Sequence, residues 1–185
     1  MRAAIVFAAA GLLLAAGATA AEIPSPDLPK VDPDCIRLNT PPPILAALAA
    51  AGLDNAAARK VVSDNADALH HAAIVCHIPD SDGAAQRFGE VEEAIAIQTY
   101  AKQALMTKFA VRPAVLDATW DGLAAPSRLA FWKLREGQGL AALTPAAKAD
   151  FAALAAAVGA KSGEPLQLLA IYAMSRSYIE ALAAG

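Results

Sequence analysis

The chain has 185 residues, 15 Lys and Arg against 18 Asp and Glu, a net charge of −3 and only 5% aromatic residues. A nucleic-acid footprint needs a basic patch or stripe, and this balance offers none. The length suits one domain with its own buried core.

The first element reads as an export signal. Met1-Arg2 is a positive head, Ala3 to Ala16 is an apolar run, and Ala18 and Ala20 hold the small-residue positions that a signal peptidase requires. Residues 1–20 are therefore expected to be cleaved. A retained anchor is the rival reading, but the run falls short of the roughly 20 residues that cross a bilayer core, and no basic stop-transfer cluster follows it. Loss of Arg2 with the signal takes the charge from −3 to −4. The expected location is periplasmic or secreted, with a mature chain that does not span a membrane.

Residues 21–43 form a Pro-rich N-terminal arm, with prolines at 24, 26, 29, 33, 41, 42 and 43. Proline locks φ and removes an amide donor, so this stretch is expected to be extended rather than helical. Cys35 lies in the arm and Cys76 near the end of a helix. In an oxidising compartment such a pair reads first as a disulfide. There is no CxxC for thiol exchange and no CxxCH for haem. A Cys35–Cys76 bridge would strap the arm onto the helices.

Residues 44–185 read as a single helical domain. Alanine, the strongest helix former, is abundant, and no alternating run of β-branched residues marks a strand. The expected class is all-α, an irregular bundle of about six helices. The first spans Ile44 to Ala51 and ends at Gly52. The second, capped by Asp54 or Asn55, runs to Ile78 with Val62, Ala66, Leu69, Ala73 and Cys76 as its apolar stripe. A long helix follows the loop 79–83 and reaches about Ala110, with Phe88, Val91, Ile95, Leu105, Met106 and Phe109 on its stripe. Shorter pieces cover 113–121 and 126–136. Thr144-Pro145 is an N-cap followed by proline at the first helical position, and it opens a helix carrying Phe151, Leu154 and Val158. The last helix runs from Pro165 to about Ala183, with Leu168, Leu169, Tyr172, Ile179 and Leu182 inward.

Three constellations are candidate sites. Gln98 and Lys102 interrupt the stripe of the long helix, and Arg176 interrupts that of the last. With Arg112 they would line a cationic pocket for a small carboxylate; the plainer reading is snorkelling stems with their heads in water. His70, His71 and His77 cluster with Asp67, and Asp67 with His71 has the i, i+4 spacing of a zinc or copper pair. A third ligand is not identified, and a solvated helix face competes with the metal reading. Trp120, Arg128, Trp132 and Arg135 are the residue types of interface hot spots, although Phe131 and Trp132 equally suit a core.

No GxSxG, phosphate loop or EF-hand spacing occurs, and no cofactor is expected. The leading expectation is a non-catalytic binding or accessory module for another envelope protein or a small ligand. The alternatives are an all-α enzyme acting on an anionic small molecule through Lys102, Arg112 and Arg176, and a metal-binding protein centred on Asp67 and His71.

Overall fold

Prolines and polar caps decide where the helices begin. The structure, a computed structural model, describes residues 31–184 apart from Leu53, Asp80, Ser81, Gly137 and Gln138. The signal segment 1–20 and residues 21–30 of the arm lie outside the described residues. Helix α1 (Pro33–Asn39) follows Asp32, whose carboxylate accepts from the amides of Asp34 at 2.9 Å and Cys35 at 3.3 Å. Pro33 occupies the first turn, where a missing amide donor costs nothing. This corrects the expectation that the Pro-rich stretch excludes helix. The residues between Pro33 and Pro41 contain no proline, which leaves room for two turns.

Helix α2 (Pro42–Ala51) also opens on proline and closes at Gly52, with φ 60°. A Cβ at Gly52 would lie 3.1 Å from the Tyr100 ring, so backbone and neighbour both call for glycine there. Helix α3 (Asn55–Asp64) is capped by the Asp54 carboxylate, and α4 (Ala66–Val75) follows after one residue. The expected single helix from 54 to 78 is thus two. Asn65, at φ −122° and ψ 20°, interrupts it, and its side-chain amide donates to the Val61 carbonyl at 2.8 Å. The break re-phases the stripe: Leu69 is buried whereas Val62 is 42% exposed. Helix α4 ends with His77 in the left-handed region and the Ile78 amide bonded to the Ala73 carbonyl, a common helix terminator.

Helices α5 (Asp82–Phe109) and α9 (Gly163–Ala184) form the spine. Between them lie α6 (Pro113–Asp121), α7 (Ala125–Ala130), 3₁₀ segments at Phe131–Glu136 and Gly139–Ala142, and α8 (Pro145–Ala157). The piece expected at 126–136 therefore changes from α to 3₁₀ at Phe131. The Thr144 hydroxyl caps α8 by accepting from the Ala147 amide. Among the described residues there are nine α-helices and no strand, which bears out the all-α class and corrects the count of about six.

The spine helices run antiparallel and share two apolar clusters. The N-terminal half of α5 and the C-terminal half of α9 pack with α1 to α4 around Ile36, Ile44, Leu69, Val91, Ile95 and Ile179. The C-terminal half of α5 and the N-terminal half of α9 pack with α6 to α8 around Trp120, Phe131, Phe151, Leu154 and Tyr172. Aromatic rings meet there edge-on or tilted, with Trp120 5.6 Å from Phe131 and 5.9 Å from Tyr172, a favourable geometry. Met106, expected on the stripe of α5, is 37% exposed, while its neighbour Leu105 is fully buried.

Cys35 and Cys76 are joined in a disulfide with Cα atoms 5.8 Å apart, tying α1 to the end of α4. Among the described residues no helix is long and apolar enough to cross a membrane.

Candidate functional site

The two spine helices, α1 and α6 border a groove of about 750 Å³. Helix α5 contributes Gln98, Thr99, Lys102, Gln103 and Met106, which recur at helical spacing along one face. Asp117 projects from α6, and α9 supplies Arg176, Ile179, Glu180 and Ala183. The start of α1 closes one side through Asp32, Pro33, Asp34 and Arg37.

The floor of this groove is a connected set of charges. Lys102 Nζ donates to both oxygens of Asp117, at 2.6 and 2.9 Å. Tyr172 donates its hydroxyl to Asp117 Oδ1 at 3.1 Å and accepts from Arg176 Nη1. Arg176 also donates to Asp117 at 3.1 Å and to Asp121 at 2.8 Å, and its Nε lies 3.6 Å from Glu180. Glu180 in turn accepts from the Trp120 indole at 2.6 Å and from Arg128 at 3.0 Å. The Arg176 guanidinium sits 5.1 Å from the Trp120 ring centroid, within cation–π range.

These neighbours shift the groups that they touch. Burial alone would push the Asp117 carboxyl up, but the hydrogen bonds from Lys102 and Tyr172 and the positive charges of Lys102 and Arg176 outweigh it. The carboxyl is held below its ordinary 3.8. Burial pushes the Tyr172 hydroxyl up to about 12, against the opposing pull of Arg176. Tyr172 is therefore a neutral donor at physiological pH.

Of the four residues expected to form a cationic pocket, the groove brings together Gln98, Lys102 and Arg176. Arg112 is not among the groove residues; it precedes α6 at its N-terminal end and is exposed. The pocket is also not cationic. Three basic side chains, Arg37, Lys102 and Arg176, share the lining with four acidic ones, Asp32, Asp34, Asp117 and Glu180. The acidic partners were the residues missed from sequence. A local signal exists for Glu180, which stands at i, i+4 from Arg176.

The other candidates are placed differently from each other. Asp67, His70 and His71 are exposed on α4, and His77 lies past the helix end, off the face shared by the others. Among the described residues no three His, Cys, Asp or Glu side chains gather as metal ligands. Trp120 is fully buried between Phe131 and Tyr172, so its ring belongs to the core rather than to a surface. Arg128 is held by Glu180 and by the carbonyls of Asp121 and Leu123. Trp132 is half-buried, with its amide donating to the Ser177 hydroxyl. The Arg135 side chain lies outside the described residues.

The chain matches no protein family, and comparison with characterised proteins and with solved structures likewise finds no match.

Proposed function

We propose that the protein is an exported, non-catalytic binding module stapled by Cys35–Cys76, and that it takes its partner in the groove between α1, α5, α6 and α9. The observation that carries this reading is the lining itself: both signs of charge, amide groups at Gln98 and Gln103, and apolar Met106, Ile179 and Ala183 in one concavity. Such a lining complements a ligand segment that carries both charges, such as a polar stretch of another envelope protein. Polar groups placed in a concave apolar setting fix orientation and specificity. The export reading draws on the N-terminal signal pattern and on the disulfide, since disulfides persist in oxidising compartments.

The anionic-substrate alternative needs positive charge that is left uncompensated. Asp117, Asp121 and Glu180 already occupy Lys102 and Arg176, which weighs against it. NMR titration with two probe sets separates the readings: zwitterionic tri- and tetrapeptides, and small dicarboxylates. Shifts of the Gln98 and Gln103 side-chain amides with the peptides alone are expected. A response to dicarboxylates alone would favour the enzyme, and no response to either would remove the groove as a binding site. The intact mass of the exported protein is expected to begin at Ala21 with both cysteines oxidised.

A further inference from the structure

Glu92 on α5 is 4% exposed, and it lies beneath the turn that joins α1 to α2. The Thr40 hydroxyl donates to Glu92 Oε1 at 3.3 Å, and Thr40 itself is 1% exposed. Ile36, one turn before Thr40 on α1, is also fully buried. A buried carboxylate is costly unless it is paired with a cation.

Among the described residues no cation is paired with it. On α3, Arg59 is exposed and Lys60 pairs with Asp64. Helix α2 carries no ionisable residue. On α1, Asp34 and Arg37 pair with each other on the exposed side. On α4, Asp67, His70 and His71 are exposed. On α9, Arg176 and Glu180 belong to the groove network, and Tyr178 donates to Glu90. On α5 itself Arg87 pairs with Glu90, and Glu93 is exposed. Burial accordingly pushes the Glu92 carboxyl up to about 7, although the Thr40 hydrogen bond pulls the other way.

We propose that α1 with Thr40 is a pH-gated strap: ionisation of Glu92 favours a state in which the Thr40 end of α1 lifts from α5 and lets water reach the carboxylate. The Cys35–Cys76 bridge keeps the lifted helix tethered to α4. Because Asp32, Pro33, Asp34 and Arg37 form one side of the groove, lifting α1 tilts that wall. The strap is a property of the fold and does not depend on the groove having a ligand.

Native-state hydrogen exchange on the full chain tests this. The Ile36 amide is bonded to the Asp32 carbonyl and the Thr40 amide to the Ile36 carbonyl, so both report opening of α1. After correction for intrinsic exchange, their opening constant is expected to rise by about tenfold per pH unit between about pH 5 and 7 and then level off. Glu92→Gln is expected to abolish the rise. A flat wild-type profile, or an unchanged rise in Glu92→Gln, would overturn the proposal. Equal opening constants at Ile36, Thr40 and the core amide of Leu154 would also overturn it, since the whole chain would then be unfolding. Should Glu92→Gln fail to fold, Thr40→Val serves instead. Losing that hydroxyl is expected to carry the rise on to higher pH before it levels off, and an unmoved levelling-off point would contradict the mechanism.

Discussion

At Asp117 one carboxylate answers Lys102, Arg176 and the Tyr172 hydroxyl. Asp117→Asn keeps the shape and removes the charge, leaving two cations without their shared partner. The site is partly open to water, which discounts the effect, so a loss of about 1–2 kcal/mol is expected. A shift in the urea midpoint measures it, and an unchanged midpoint would show that the network contributes nothing. The sign with pH follows from the depressed Asp117 carboxyl. Its contribution is present above the ordinary carboxylate range and is lost as pH falls and the group protonates. Half of this site was legible in the sequence. Gln98, Lys102 and Arg176 break apolar stripes, which marks them as special positions on their own helices. Periodicity assigns a residue to a face but does not say which helix it meets, so Asp117 and Glu180 went unseen as partners.

Helix ends follow local rules, and one disulfide joins two elements that are distant in sequence. Thr144 caps α8 through the Ala147 amide, so Thr144→Ala is expected to cost about 1 kcal/mol of stability in chemical denaturation. The Cys35–Cys76 bridge spans 41 residues; replacing both cysteines with serine is expected to cost up to about 4 kcal/mol on the chain-entropy argument. A double variant as stable as the wild type would mean that α1 is held by Ile36 and Thr40 alone. The two cysteines were readable as a pair from their number and the export context. The start of α8 and the span of α6 were readable because a proline at the first turn leaves little choice. The break at Asn65 was not. An asparagine between two Ala-rich stretches is compatible with a continuous helix, and only the packing of Leu69 against the spine selects the re-phased one. The arm misled for a related reason: Pro33 stands at the first turn of α1, where proline is compatible with a helix.

Across the whole molecule, stability should carry the imprint of Glu92. Its carboxyl titrates at about 7 in the fold against an ordinary 4.5, so the native state holds a proton that the unfolded chain gives up. Stability is therefore greatest below pH 4.5 as far as this group is concerned, and falls by about 3 kcal/mol as pH rises to 7. Glu92→Gln is expected to flatten that slope in denaturation series at pH 5, 6 and 7. The described residues form two apolar clusters on one antiparallel spine, with the charged groove between α1 and α6. The proposed binding role is tested most directly in exporting cells by a photo-crosslinking residue at Gln103, in the groove, with Lys148 on the exposed face of α8 as the control. The account predicts a discrete adduct from position 103 alone, lost when Ala183→Trp fills the groove. No adduct, or the same adducts from both positions, would contradict it.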